Sequence, residues 1–388
     1  MNVLVFSSAM PELEFAKYQQ EAKIKPNPSN QNFYAKLIKA LSLRNTVSVV
    51  SHRPFVKGMF NKNSLESDIA MEGNVKYYYP SNKCGKIYKL FSEQHEIEKI
   101  ANQAIEDFKS HDFIIVTDTL RLNLLKAAKH IAEVYGVKIV GMLTDNPFNL
   151  SSGRRFVKRS LKKQASSLDG YLSLTTGLVH AFNGDVPSYV FEGLVSEENE
   201  GRKDPIFNYF YFGGSLCERY GVKTLVDAFH KSNVKCKLVL AGSGPLDKYI
   251  EQLAQEDSRI LYLSQLSKEK NIAYLRNSIA NINPRPLDKE LDNESVPSKL
   301  LEYLSIGNPV ISTKFPKFYS LFKDDVSWID GNDVESMRLA LEFYDISNQE
   351  TYLKKAATAR RKVFEFYGIN VQSESITHFL TEINSSSN

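Results

Sequence analysis

The sequence predicts an α/β fold of two doubly wound, Rossmann-like domains facing each other across a cleft. Three observations lead there. The chain has 388 residues, enough for two domains that each bury a core. Short continuous apolar runs alternate with segments of helical period, as in a parallel sheet covered on both faces. The alternation stops at a polar stretch with Gly and Pro, "SEENEGRKDP" (196–205), and then restarts.

In order, "NVLVFSS" (2–8) predicts a strand, "NQNFYAKLIKALS" (30–42) a helix and "TVSVVS" (46–51) a strand. A less readable stretch follows, in which Tyr78 and its neighbours in "YYYP" read as packing. Then come "HDFIIVTD" (111–118) as strand, "LRLNLLKAAKHIAEVYG" (120–136) as helix and "VKIVGMLTD" (137–145) as strand. A basic helix and the strand "DGYLSLT" (169–175) close the first half. Beyond the linker, strands are predicted at 208–214, 236–244, 259–265, 278–284 and 309–313, and the tail 346–385 is mostly helical. The expected division is a domain over 1–196, a second over 205–366, and a C-terminal helix over 367–388 that packs back on the first. In such sheets ligands sit outside the carboxyl ends of the strands.

Composition narrows the function classes. Hydrophobic content of 42% and charged content of 24% are ordinary for a soluble protein, and a net charge of +4 points to no nucleic-acid partner. Cys84, Cys217 and Cys236 are far apart and odd in number, which argues against a disulfide framework and for a reducing compartment. The N-terminus turns polar too early for a secretory signal, and no apolar run approaches a membrane span. The expectation is a cytoplasmic protein that meets the inner face of the cell membrane, if at all, from the side.

The most informative segment is "LDKELDNESVPSKLLEYLSIGNPVIST" (287–313). Pro297 suits a first helical turn and Gly307 a C-terminal cap, which predicts a helix over 297–306. Glu294 then precedes the helix in a loop, and Glu302 lies inside it. Amides near Val296 and Ser298, with the helix dipole, form an anion site that the Ser298 hydroxyl and the Lys299 ammonium can extend. Two carboxylates flanking an anion suit a nucleotide sugar: diphosphate at the helix end, ribose on one acid, sugar hydroxyls on the other. An isolated pair at this spacing would be a capping acid and a surface acid.

Here the chain resembles the retaining family-4 glycosyltransferases of the GT-B fold, through their Glu-x7-Glu motif. "YFYFGGSLCERYGVKTLVDAF" (209–229) resembles the first strand, loop and helix of that family's C-terminal domain. "KLVLAGSGPLDKYIEQL" (237–253) resembles its strand ending in Gly-x-Gly-Pro. "TDNP" (144–147) and "PSKLLEY" are most similar to the branch that builds bacterial surface polysaccharides. The resemblance implies transfer of a sugar from a nucleotide-sugar donor to a growing, lipid-linked glycan, with no cofactor and no protein-held metal. It implies catalytic roles for Glu294 and Asp145, the latter standing where the family has a histidine. For the donor it implies Glu302, Gly214, Ser215, Arg219, Gly242, Gly244, Arg285, Val296, Pro297, Ser298 and Lys299. The glycine turns alone are commonplace after strands; here they are expected to let backbone approach the nucleotide. The family's loop Arg and Lys fall on Ser215 and Tyr220, so Arg219, Arg285 and Lys299 are the candidate replacement cations. Pro297 stands where the family has a glycine. An alternative is a glycosyltransferase-like partner subunit without chemistry of its own, but that would not need both glutamates. A nicotinamide-dependent oxidoreductase is disfavoured by the lack of Gly-x-Gly-x-x-Gly after either first strand.

The segment "RRFVKRSLKKQ" (154–164) places Arg154, Arg155, Lys158, Arg159, Lys162 and Lys163 on one helical face, with Phe156, Val157, Leu161 and Ala165 on the other. The plain reading is a solvated helix packing its apolar side. The sharper one is contact with anionic lipid headgroups.

Overall fold

A computed structural model describes residues 1–26, 28–108, 110–150, 154–196, 208–344 and 348–386. The chain forms two compact units: Met1–Leu194 with Asn293–Ser295 and Ile369–Asn388, and Val195–Asp292 with Val296–Gly368. Most of the expected linker, from residue 197, lies outside the described residues, as does 345–347 in the tail.

The unit 1 sheet has eight strands: β1 (Asn2–Ser7), β2 (Thr46–Ser51), β3 (Asp68–Glu72), β4 (Val75–Tyr79), β5 (Phe113–Asp118), β6 (Ile139–Leu143), β7 (Gly170–Ser173) and β8 (Ser188–Val190). Their spatial order is β8-β7-β6-β5-β1-β2-β4-β3. All neighbours are parallel except β3 and β4 at one edge. Central strands read as unbroken apolar runs because both faces are covered. Ile115 and Tyr171 face one core with helices Glu93–Glu106 and Leu122–Tyr135, while Val116 and Leu172 face another with helix Pro28–Ser42. The less readable stretch holds the β3–β4 hairpin and two helices, Lys86–Phe91 and Glu93–Glu106. Tyr77, Tyr78 and Tyr79 are buried within it.

The unit 2 sheet has six parallel strands: β9 (Tyr209–Gly213), β10 (Lys237–Ala241), β11 (Ile260–Tyr262), β12 (Ala280–Asn283), β13 (Val310–Thr313) and β14 (Ser327–Ile329). The order β11-β10-β9-β12-β13-β14 is that of a dinucleotide-binding sheet, with its switch point between β9 and β12. Helix Ser298–Ile306 buries Leu300, Leu301 and Leu304 and ends at Gly307, whose φ of 83° permits the left-handed cap. Helix Gln349–Tyr367 packs along it, with Arg360 Nε donating to the Ser305 carbonyl at 2.9 Å. After Gly368 the chain rejoins unit 1. Helix Ile369–Ser385 adds Ile376, Phe379, Leu380 and Ile383 to that core, and Asn45 Nδ2 donates to Thr377 Oγ1 at 2.9 Å.

Three expectations are corrected. Glu294 is not in a loop: it ends a short helix, Lys289–Glu294, because the residues before Pro297 close a turn of their own. Pro297 precedes the following helix rather than opening it, with ψ of 75° outside the helical region. On the basic helix, Arg155–Ala165, only Leu161 and Ala165 are buried; Phe156 is 64% exposed.

Candidate functional site

In unit 2 the polar groups gather at the switch point. Gly213 ends β9 and Gly214 follows with φ of 154°, a conformation suited to glycine. Lys299 reaches this loop from helix Ser298–Ile306. Its Nζ donates to the Gly213 carbonyl at 2.5 Å and lies 5.5 Å from the Phe212 ring centre. A side chain at Gly214 would fall on the Lys299 ammonium. One turn on, Tyr303 Oη accepts from Gly213 N at 3.2 Å. Glu302 stands between them in sequence. Burial lowers the Lys299 pKa, and the Glu302 carboxylate opposes that fall. The helix thus brings an ammonium to the end of β9, with the Glu302 carboxylate near enough to act on it.

The glycines after β10 have a reason beyond ligand approach. A Cβ at Gly242 would strike the Gly214 carbonyl, and one at Gly244 the Leu216 carbonyl. The two loops interlock: Gly214 N donates to Ala241 O at 2.8 Å, Leu216 N to Ser243 O at 3.1 Å and Leu246 N to Leu216 O at 3.1 Å. The glycine spacing encodes backbone lacing at the carboxyl edge.

The candidate cations separate. Arg285 is 6% exposed and committed: its Nη2 meets Asp292 Oδ1 at 3.0 Å, and the guanidinium lies 5.3 Å from the Phe315 ring centre. Burial lowers its pKa, and Asp292 opposes the shift. Arg219 is exposed on the one-turn helix Glu218–Tyr220, and Ser215 is exposed in the glycine loop. Lys299 is the candidate cation bonded to that loop. The Ser298 amide, expected to meet an anion, donates instead to the Val296 carbonyl at 2.8 Å.

Glu294 belongs to the compact unit 1. Its carboxylate accepts from Asn146 Nδ2 at 3.2 Å and from Asn149 Nδ2 at 2.6 Å. Asn146 also caps the turn Pro147–Asn149, its Oδ1 accepting from Phe148 N at 3.0 Å. Asp145, exposed, is the residue before Asn146 at the carboxyl end of β6. Gly177 makes room for this segment, since a Cβ there would strike the Asn293 carbonyl. Asn146, Asn149 and Gly177 were not singled out from sequence. "TDNP" showed a turn former at a strand's end, but not its partner 148 residues away.

A second polar group in unit 1 was also missed. Asp118, 1% exposed, ends β5, and its Oδ1 accepts from Leu120 N at 2.8 Å. Arg121 Nε is 3.7 Å from its Oδ2, and the buried Tyr34 hydroxyl is a neighbour. Neither Tyr34 Oη nor Asp118 Oδ2 closes a well-formed hydrogen bond. Burial raises the Asp118 pKa, with Arg121 opposing. Nearby in sequence to β2, His52 Nε2 meets Glu93 Oε1 at 3.3 Å; burial lowers the imidazole pKa against the pull of Glu93.

Among the described residues, no three His, Cys, Asp or Glu side chains gather as a metal site, and no helix is long and apolar enough to cross a membrane.

Residues 196–362 match the family Glycosyl transferases group 1. No curated protein matches the chain in sequence. Among solved structures, it resembles sucrose-phosphate synthase from Thermosynechococcus elongatus at 14% identity and a TM-score of 0.67, over 98% of this chain and 99% of that one. It resembles the UDP-forming α,α-trehalose-phosphate synthase from Burkholderia xenovorans, in complex with glucose-6-phosphate, at 12% and 0.64, over 98% and 99%. It also resembles HepE of Anabaena, in complex with UDP and glucose, at 12% and 0.64, over 98% and 100%. At these identities the likeness shows the fold: two Rossmann-like units of the GT-B kind.

Proposed function

We propose that the protein, whose residues 196–362 match Glycosyl transferases group 1, transfers one sugar, with retention, from a nucleotide sugar to a growing lipid-linked glycan. The observation that carries this reading is the pairing of Glu302 and Lys299 on one helix at the glycine loop of a nucleotide-type switch point. Unit 2 takes the donor: Glu302 accepts the ribose hydroxyls, and Lys299 sits where the diphosphate approaches Gly214. Unit 1 takes the acceptor. Glu294, oriented by two amides, meets the donor sugar. Asp145 lies beside that arrangement in sequence.

In the step we propose, the acceptor hydroxyl attacks the anomeric carbon on the face from which the diphosphate departs. The bond to the phosphate oxygen breaks as the new glycosidic bond forms, and the leaving phosphate oxygen takes the hydroxyl proton. The protein supplies position and charge stabilisation and no nucleophile, so no cofactor beyond the donor is invoked. The lipid-linked acceptor is supported by the basic helix, where Arg154, Arg155, Arg159 and Lys163 are exposed around Phe156, while Lys162 is half-buried and Lys158 turns to the Leu150 carbonyl.

The test is a thermal-shift panel of nucleotide sugars, UDP-sugars first, because relatives of this fold were solved with UDP. A ligand at 100 times its Kd adds about 2.7 kcal/mol. One nucleotide sugar should raise the melting temperature, and its product should keep the anomeric configuration by NMR. A panel without any shift, and without binding by calorimetry, overturns the reading. Turnover only with free sugar phosphates overturns the lipid-linked acceptor alone.

A further inference from the structure

Helix Lys86–Phe91 in unit 1 points its apolar face outward. Ile87, Leu90 and Phe91 share one side at i, i+3 and i+4, and they are 77%, 75% and 79% exposed. Fraying does not account for this, because the other side is pinned. Tyr88 Oη donates to the Ser81 carbonyl at 2.6 Å, and Asn123 Nδ2 donates to the Lys89 carbonyl at 2.7 Å.

Along the segment itself the charge is one-sided, and the Glu96 carboxylate stands behind it near Tyr88, its Oε2 accepting from Ser81 Oγ at 2.6 Å. Lys83, Lys86 and Lys89 are exposed, and residues 83–92 contain no Asp or Glu. The next acid, Glu93, is buried and turned inward, with Oε1 3.3 Å from His52 and Oε2 2.6 Å from Asn123 Nδ2. An apolar face on a segment whose own exposed charges are all lysines suits neither bulk water nor an ordinary protein interface, where lysine is depleted. It suits the boundary between acyl chains and anionic headgroups.

Topology supplies a second point of contact. Asn123 lies in the first turn of helix Leu122–Tyr135, which follows β5, so the 86–91 helix sits at the carboxyl edge of the sheet. Helix Arg155–Ala165 packs on the same helix 122–135 and starts from the carboxyl end of β6. Exposed Phe156, with Arg154 and Arg155, therefore lies at the same end of the same helical layer.

We propose that helix Lys86–Phe91 is a membrane-docking element that seats Ile87, Leu90 and Phe91 in an anionic bilayer surface, with Lys83, Lys86 and Lys89 on the headgroups. It deepens the lipid-linked acceptor reading and rests on it only for purpose, since docking is measured without any sugar. The full chain carrying Phe91→Trp and Trp328→Phe is mixed with vesicles of phosphatidylglycerol and phosphatidylcholine in equal parts, or of phosphatidylcholine alone. Emission should shift to the blue and be quenched by brominated acyl chains with the anionic vesicles only. Replacing the three lysines by Gln should weaken partitioning by roughly a hundredfold, about fivefold for each. Ile87→Ser with Leu90→Ser and Phe91→Ser should abolish vesicle binding while circular dichroism and donor hydrolysis stay as in the parent. Unshifted emission overturns the proposal. So does concentration-dependent self-association that the serine variant removes, which would make the face an interface between copies. If vesicles bind but no nucleotide sugar does, docking stands and the transferase reading falls.

Discussion

At the carboxyl edge of unit 2, the polar groups come from three short stretches that a parallel sheet must bring together: the end of β9, the loop after β10 and the helix that begins at Ser298. At the carboxyl edge of unit 1 they come from four scattered places. Glu294 enters from a segment that follows unit 2's fourth strand, Asn146 and Asn149 follow β6, and Asp118 ends β5 with Tyr34 beside it. The first edge is set by backbone lacing, in which Gly242 and Gly244 admit the neighbouring loop's carbonyls. The second is set by side-chain hydrogen bonds over long sequence separations. A site of the first kind suits an invariant ligand part such as a diphosphate. One of the second kind can change its hydroxyl recognition by single substitutions without touching the fold.

The sharpest way to break this comparison is Glu294→Ala. On our reading it removes a charge that matters as the anomeric bond breaks, so kcat should fall on the order of a hundredfold to a thousandfold. Nucleoside diphosphate affinity should stay near the parent, because Glu294 is held by Asn146 and Asn149 of unit 1. Asn146→Ala with Asn149→Ala should reproduce part of the loss. Calorimetry showing weakened diphosphate binding in Glu294→Ala would move that residue to the donor edge and dissolve the distinction.

Glu302→Ala should do the reverse. Ribose is bound alike in ground and transition states, and a charged hydrogen bond is worth about 1.5–3 kcal/mol. The donor KM should rise about tenfold to a hundredfold, with kcat near the parent. Steady-state kinetics that show a kcat loss without a KM rise would contradict the ribose assignment.

Gly177→Ala tests whether the Asn293–Ser295 segment is placed by unit 1. The new methyl would strike the Asn293 carbonyl, and overpacking of this kind costs about 1–3 kcal/mol. Denaturant melts should show that loss, and kcat should drop about tenfold as Glu294 shifts. An unchanged kcat would mean that Glu294 keeps its place without this contact.

The same contrast explains what the sequence disclosed. β9, β10, β12 and β13 were legible as apolar runs, and the helix ending at Gly307 was legible from its cap. Strand order was not read from the sequence: apolar runs mark strands as buried without saying which neighbour each one pairs with. The β3 strand was not legible, because "DIAME" is an antiparallel edge strand with no buried residue and therefore no period to read. Helix Lys86–Phe91 was hidden for the opposite reason: its apolar stripe faces away from the core. In the site, Glu302 and Lys299 could be found from spacing within one helix. Asn146, Asn149 and Gly177 could not, since their partners lie more than a hundred residues along the chain.

The smallest expected effect is that of Lys299, and its sign is the informative part. Burial lowers its pKa below the ordinary lysine value, with Glu302 opposing. In the free protein the charged form is therefore penalised, fully so below the folded pKa. As pH rises from the folded pKa towards the unfolded value that penalty disappears, so this residue's contribution to stability grows on the alkaline side. A bound diphosphate favours the charged amine and raises its pKa, so binding takes up a proton in that window. Diphosphate affinity should fall with rising pH over the range where apo stability from Lys299 increases. Lys299→Gln should lower affinity about fivefold at neutral pH, the value of one partly solvated charge pair. It should also flatten the alkaline decline, whereas Lys299→Arg should keep the affinity and lose the decline, since a guanidinium stays charged. Calorimetry of a nucleoside diphosphate across the alkaline range, on the three proteins, decides it. An alkaline decline that persists in Lys299→Gln would place the titrating cation elsewhere and leave the unit 2 edge without the charge assigned to it.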